Sequence, residues 1–278
     1  MKKYPKYILI LISVSCYLIT VDASAQYFDF PSKAIDKSNI LITYSITYKQ
    51  DTTDLGYQRR EDMYLFIGEK TSLFTSKNLY QLMHFGRIAE KEGKLDNFFN
   101  VMSSGKYRTR FSYSIYKNHP KGMLSYTDKV LPTFFIYEEY LRSFKWILMN
   151  DRDTLNGYSV QKASLRYGGR LWTAWYSTEI PISDGPYKFY GLPGLILKVS
   201  DSLEHYVFEM KEIERLEKDV LIEILVIDWV KTNRKDFLQA EQNFRHDIIN
   251  RAKEAGASSE SQQTAARNMM KKNNPIEF

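Results

Sequence analysis

The sequence predicts an α+β fold that is mainly antiparallel β: a single curved sheet, an open half-barrel or bowl, with flanking helices. Three observations carry this expectation. Short runs of alternating apolar and polar residues recur along most of the chain, bounded by Gly, Pro, Asn or Asp. Helical spacing is confined to two regions, Lys77 to Met102 and Asn233 to Glu254. Gly168-Gly169 joins two alternating runs as a tight hairpin turn. Amphipathic strands with few helices make an α+β layer structure, and the bowl follows by fold-level analogy with envelope carrier proteins.

In chain order, Asn39 to Tyr48 alternates as a strand, with Ile40, Ile42, Tyr44, Ile46 and Tyr48 on one side. Glu61 to Gly68 is a second strand, which Leu73-Phe74 extends. Between Lys77 and Met102, Leu79, Leu82 and Met83 have helical spacing. Gly86 and Gly93 argue for a helix or two rather than one long one. Tyr107 to Tyr116, Met123 to Tyr126 and Phe134 to Glu138 read as short strands. Trp146 to Met149 leads into a turn over Asp151 to Gly157. Beyond the centre come strands at His205 to Ile213 and Val220 to Ile227. Asn233 reads as an N-cap with Asp236 three residues on, opening a helix to about Glu254 with Phe237, Phe244 and Ile248 on its apolar stripe. From Gly256 to Phe278 the residues are small and polar, and the segment reads as a mobile tail.

Met1 to Ala25 reads as a secretory leader. Lys2, Lys3 and Lys6 precede an apolar run from Ile8 to Val21, and Ala23-Ser24-Ala25 is a cleavage site, with Gln26 as the new N-terminus. The apolar run is shorter than the ~20 residues that span a bilayer. A rival reading makes Cys16 a lipoprotein cysteine, but apolar residues continue past it. Residues 26–255 then form one β-rich domain. Cys16 is the only cysteine. The mature chain is therefore expected to have no disulfide, thiolate metal site or cysteine nucleophile. The net charge of +6 is interspersed rather than clustered, which argues against a nucleic-acid partner. No segment after the leader is apolar enough to cross a membrane as a helix.

The most specified stretch is Arg170 to Asp201. Pairing outward from Gly168-Gly169 sets Tyr167 opposite Arg170, Leu165 opposite Trp172 and Ala163 opposite Ala174 on a core face. Lys162 then lies opposite Trp175 on the other face, a cation–π geometry. Asp184-Gly185-Pro186 is a turn signal. Leu192-Pro193-Gly194-Leu195 suits a type II turn with Gly194 at positive φ, and Leu195, Leu197 and Val199 alternate into a strand.

The run from Tyr187 to Lys198, with Gly191-Leu192-Pro193-Gly194-Leu195-Ile196 at its centre, resembles the signature of the GLPGLI, or Porph_ging, family of secreted Bacteroidetes proteins. Gly157-Tyr158, Gln161-Lys162-Ala163, Ala174-Trp175-Tyr176 and Glu179-Ile180-Pro181 add to it. Weaker echoes lie at Tyr116-Lys117-Asn118, Tyr137-Glu138-Glu139 and Asn274-Pro275-Ile276-Glu277. Members often carry a cysteine after the Gly-Tyr pair, where this chain has Ser159-Val160. The resemblance implies an exported compartment and a fold. It implies no activity.

No nucleophile elbow, phosphate loop or dinucleotide fingerprint is present, and no two of His84, His119, His205 and His246 have local metal-ligand spacing. No metal or cofactor is expected. Glu179, Asp184 and Asp201 are carboxylates for a hydrolytic pair, set against plain roles as a strand end, a turn opener and a loop start. Aromatic surface is the stronger signal. The expected ligand-binding residues are Lys162, Trp175, Tyr176, Tyr187 and Tyr190. Gly185, Pro186, Gly191, Leu192, Pro193, Gly194, Leu195 and Ile196 form a structural signature without acid, base or nucleophile. The functional expectation is an exported cell-envelope protein, a periplasmic binding or assembly module holding an apolar or mixed ligand on a concave β surface. A hydrolase of peptide or glycan and a structural partner of an outer-membrane complex are the alternatives. The partner is accordingly an envelope protein or an apolar, glycan or peptide ligand.

Overall fold

The computed structural model describes residues 31–141, 144–254 and 256–278. The leader and its cleavage site lie outside the described residues. One open sheet of twelve antiparallel and mixed strands dominates. In chain order the elements are β1 (Ser32–Tyr48), β2 (Arg59–Gly68), β3 (Ser72–Ser76), α1 (Lys77–Lys91), α2 (Leu95–Ser104), β4 (Ser114–Lys117), β5 (Met123–Val130), β6 (Thr133–Tyr140), β7 (Ile147–Leu155), β8 (Tyr158–Tyr167), β9 (Arg170–Ser177), β10 (Leu195–Asp201), β11 (Tyr206–Leu225), β12 (Val230–Thr232), α3 (Arg234–His246), α4 (Ile248–Glu254) and α5 (Ser259–Met270). Across the sheet the order is β12-β6-β5-β4-β3-β2-β1-β11-β10-β9-β8-β7. Among the described residues, only the short β12–β6 pair at one edge is parallel. Among the described residues, no helix is long and apolar enough to cross a membrane.

The sheet is strongly curled. Nine strand spacings separate β6 from β8, which in a flat sheet would be roughly 43 Å. Yet Lys188 Nζ lies 5.1 Å from the Tyr137 ring of β6 and 5.9 Å from the Tyr167 ring of β8. Irregular pairing supplies the bend. β1 shifts register against β11 at three points, and the shift at Ser38/Ile40 recurs against β2. Each extra residue on one strand increases twist and bends the sheet.

The two faces carry separate apolar clusters. The inner face holds the main core, including Ile42, Tyr44, Met63, Phe74, Ile115 and Trp172. The outer cluster is smaller, built on Phe66, Leu73, Tyr116 and Ile222. The ring of Tyr80 on α1 covers it, 4.7 Å from Phe66. On the inner side α3 lays Phe237 against Tyr126 and Tyr137. Asn233 caps α3 by accepting from the Asp236 amide at 3.0 Å, as its side-chain chemistry predicts.

The Gly168-Gly169 hairpin forms with every expected pair, including Leu165–Trp172, Ala163–Ala174 and Lys162–Trp175. Both glycines have positive φ, which the tight turn requires. Elsewhere the elements differ from the sequence reading. β3 is a separate strand rather than an extension of β2. β7 runs through the expected Asp151 to Gly157 turn, which contracts to Asn156-Gly157. Regular strand begins only at Ser114, because Thr109 Oγ1 bonds the Phe111 amide and Glu61 takes the Arg110 amide. The two strands expected after residue 205 are one, β11. Its partner on β1 moves only from Ile40 to Ser38 while β11 moves from Arg215 to Val220, so the charged residues between them bulge outward. The long C-terminal helix breaks at Asp247 into α3 and α4. The segment expected as a mobile tail contains α5, which Ser258 caps, and it buries Asn274 and Glu277.

Candidate functional site: the filled interior and its polar mouth

Residues 178–194 have no regular strand or helix, yet most of them are buried. They fill the hollow of the curled sheet. Phe189 is fully enclosed, with its ring 4.7 Å from Trp172 and 6.1 Å from Tyr187. Lys117 on β4 reaches into the segment. Its ammonium pairs with Asp184 and donates to the carbonyls of Gly185 at 2.6 Å and Phe189 at 3.2 Å. Burial lowers the Lys117 pKa, and Asp184 opposes the shift. Asp184 is thus one half of a buried ion pair as well as a turn residue, and Asp201 is another. Its partner is Arg170, at 2.9 Å. Glu179 stays exposed and accepts from the Ser159 amide. The three carboxylates do not converge on a reaction centre.

Glycine roles in the signature differ from expectation. Gly194 is not in the left-handed region, whereas Gly191 has φ +91°. Gly194 is needed for close approach instead, because a Cβ there would sit 1.9 Å from the Ser177 carbonyl oxygen. Gly185 is closed off in the same way by Ile196, at 2.8 Å. Leu192, Leu195 and Ile196 are core residues, Pro186 is buried, and Pro193 is exposed. The signature therefore welds the interior segment to the ends of β9 and β10.

The five expected ligand residues are not brought together. Lys162 stands over the Trp175 ring at 5.7 Å on the side away from the core, and pairs with Asp151 at 3.6 Å. Strand alternation sends Tyr176 to the other face from Trp175. It is buried there, and its hydroxyl bonds Gln161. Tyr187 lies inside and donates to Glu277 at 2.5 Å. Tyr190 sits beside Phe144, ring centroids 5.3 Å apart, and its hydroxyl is buried without a partner.

Sequence reasoning missed Lys188, which is the centre of the interior. Its ammonium lies 3.0 Å from Glu277 and 3.1 Å from Glu139, donates to the Tyr137 hydroxyl at 3.0 Å, and is ringed by Tyr126, Tyr137, Tyr167 and Tyr187. Glu277 also receives Arg234 at 2.5 Å. Burial pushes the Glu277 carboxyl up. Lys188, Arg234 and the Tyr187 hydroxyl outweigh that and hold it below its usual value. The available signal was a lysine inside an otherwise aromatic and apolar run.

Where α3 packs on β5 lies a second polar cluster. Asp128 on β5 accepts from Ser112 Oγ at 2.6 Å and from the Tyr126 hydroxyl at 3.1 Å. Burial raises its pKa. Glu241 on α3 is pushed up to about 7, first by burial and then by the like charge of Asp128, against Arg245 and Lys272. Both residues are half-buried. Ring contacts lead from Tyr126 through Tyr113 and Phe111 to Tyr48. The hydroxyls of Tyr113 and Tyr48 and the Nε of Arg59 are buried with no hydrogen-bond partner among the described residues. Lys272 supplies positive charge beside Glu241, and Arg110 and Arg59 stand near Lys272.

Comparison with known proteins bears on the central stretch. The family model Porph_ging, described as a protein of unknown function, matches residues 170–198. The chain carries the Porph_ging signature. The matched residues are β9, the interior segment and the start of β10, so the Porph_ging stretch is the part of the chain that fills the sheet. Among curated proteins none matches. Two solved structures of PNGF-II, in space groups P21 and C2, are similar over 76% of this chain at 12% identity, with TM-scores of 0.48 and 0.47. The chain spans about a third of PNGF-II, 34% and 33% of the two chains.

Proposed function

We propose that the chain is an exported cell-envelope binding module whose ligand sits at the mouth of the curled sheet, over a recess formed by Asp128, Glu241, Tyr113 and Tyr48. The observation that carries this reading is the pair of tyrosine hydroxyls left buried and without a hydrogen-bond partner among the described residues, beside two half-buried acidic residues. Buried polar groups are nearly always satisfied, and a ligand hydroxyl or amide would satisfy these. The apolar inner face is already covered by residues 178–194. That narrows an apolar-or-mixed ligand to a mixed one, a glycan or a peptide with aromatic stacking on the rings that line the recess. Export rests on the Met1 to Ala25 leader.

Native mass spectrometry of protein purified from envelopes tests the reading. A retained glycan or peptide mass is expected, and it should be reduced by Tyr113→Phe and by Asp128→Asn. Retention that is indifferent to both substitutions would sink the proposal.

A second reading, a hydrolase, is favoured by Glu241 alone. A carboxyl at about 7 keeps its proton near neutrality and suits a general acid. Incubation with envelope glycan and with peptide substrates should then release reducing ends or new amines, and Glu241→Gln should abolish that release.

A further inference from the structure

The last five residues, Asn274–Phe278, lie across the Gly168-Gly169 hairpin and the signature segment in a cleft of directional polar contacts. Arg170 is the main reader. Its guanidinium donates to Asn274 Oδ1 at 2.6 Å, the Pro275 carbonyl at 2.6 Å and the Ile276 carbonyl at 3.1 Å. Asn274 also donates to the Lys49 carbonyl at 2.6 Å, and its own carbonyl accepts from the Tyr206 hydroxyl at 2.5 Å. Glu277 enters the Lys188, Arg234 and Tyr187 cluster. The Phe278 amide donates to the Gly168 carbonyl at 3.1 Å, and its ring lies 4.9 Å from the Arg170 guanidinium while 65% exposed. Gly168 and Gly169 let the segment approach: a Cβ on either would stand 2.9 Å from Glu277 or Phe278 side-chain atoms.

Two features distinguish this cleft from an ordinary packed terminus. First, Arg170 and Lys188 are paired independently of the segment they hold. Arg170 keeps Asp201 and the Tyr206 ring, and Lys188 keeps Glu139, the Tyr137 hydroxyl and its surrounding rings. Withdrawal of the terminus would therefore strand neither of these two buried cations; a stranded charge is the usual reason such a contact cannot open. Arg234, which pairs with Glu277, keeps 28% of its side chain exposed. Second, Arg234 binds Glu277 through Nε and leaves Nη2 buried with no partner. The recognition thus has a donor in reserve. The segment is led in by α5, which packs on α3 and α4, and by an exposed connection at Gly256 and Ser258.

We propose that this cleft is a peptide-binding site for an extended segment carrying Asn-Pro followed two residues on by Glu-aromatic, and that the chain's own residues 274–278 are its exchangeable resident. The ligand class is set by the readers: a side-chain amide and two successive carbonyls for Arg170, a carboxylate for Lys188 and Arg234, and an aromatic ring stacking on Arg170. The proposal does not rest on what the recess at the mouth holds, because none of these contacts involves Asp128, Tyr113 or Tyr48.

The test uses the full chain, folded and then cut. A protease recognition sequence placed at residues 256–258 allows cleavage after folding, so that the terminal fragment is held only by its contacts. A labelled synthetic peptide Asn-Pro-Ile-Glu-Phe is then added. Native mass spectrometry and fluorescence anisotropy read exchange, and circular dichroism reads the fold. The peptide should displace the fragment from folded protein. The same peptide with Gln in place of Glu should bind at least tenfold more weakly. Loss of the fold when the fragment leaves would overturn the proposal and make the terminus purely structural. Folded protein that takes up no peptide, or takes up both peptides equally, would overturn it as well. A null result for the recess ligand with normal peptide exchange would leave this inference standing.

Discussion

Replacing Gly194 by alanine should destabilise the protein by about 3–5 kcal/mol, through crowding rather than backbone strain. The new Cβ would lie 1.9 Å from the Ser177 carbonyl oxygen, 2.6 Å from its carbon and 2.9 Å from the Thr178 Cα. These are backbone atoms, so no rotamer change relieves the contact. The start of β10 would have to retreat by about an ångström or more from the end of β9, an overpacking shift of the kind that costs ~1–3 kcal/mol. Residues 195 and 196 hold the sheet pairs to Ser177 and Tyr176, and their amides donate to Ile180 and Asp184 at 3.0 Å each. Losing two or so of these bonds adds ~1 kcal/mol apiece. Urea denaturation of purified Gly194→Ala measures the total. Gly191→Ala is the control, because Gly191 has φ +91° and open space around it. It should cost only the left-handed penalty of ~1–2 kcal/mol. If Gly194→Ala is no worse than Gly191→Ala, the close-approach argument is wrong.

Three further outcomes follow from named contacts. Lys188→Met should cost about 3–5 kcal/mol in a urea titration, because Glu277 is left buried beside an uncharged side chain with only Arg234 to pair it. Trp172→Ala should cost ~3–5 kcal/mol through a core cavity, whereas Trp175→Ala, which removes a half-buried ring at the edge of the core and its Lys162 contact, should cost less, ~1–2 kcal/mol. Glu241 should make stability pH-dependent. Its folded pKa of about 7 lies above the ordinary carboxyl value of 4.5, so its protonated form stabilises fully below about 4.5 and that contribution is lost as pH rises through 7. Melting temperatures of the wild type should fall between pH 5 and pH 8 by the equivalent of ~1–3 kcal/mol, and Glu241→Gln should flatten the profile. A slope unchanged by Glu241→Gln would remove that assignment.

The hairpin shows how far local sequence reaches. Residues 162 to 175 alternate cleanly about two glycines, so turn type and register are both set within a dozen residues, and every pair forms as the pattern requires. The N-cap at Asn233 is equally local. The fold class needed no more than the recurrence of such patterns. What failed were inferences about single residues whose environment comes from far along the chain. Gly194 looked like a turn glycine because Pro193 precedes it, yet its constraint is the backbone of Ser177 and Thr178 arriving from β9. Tyr187 and Tyr190 looked like surface for a ligand, yet the curl of the sheet folds their segment inside. Tyr176 was grouped with Trp175 by proximity, although strand alternation parts them.

The polar chemistry is the least local of all. Asp128 and Glu241 come from a strand and a helix with no sequence relation, and only the closing of the curl brings them together. Asp184 and Asp201 were read as loop residues because their partners Lys117 and Arg170 sit 67 and 31 positions away. The terminus read as a mobile tail because composition counts polar residues without knowing what meets them, and here Arg170 and Lys188 meet them. The sequence alone determined strand periodicity, hairpin register, caps and the signature that marks the interior segment, since these depend on backbone geometry and neighbours a few residues apart. Tertiary structure alone decided which face is hollow, what fills it and which charges are paired, because burial and Coulomb energy depend on distance in space and not along the chain.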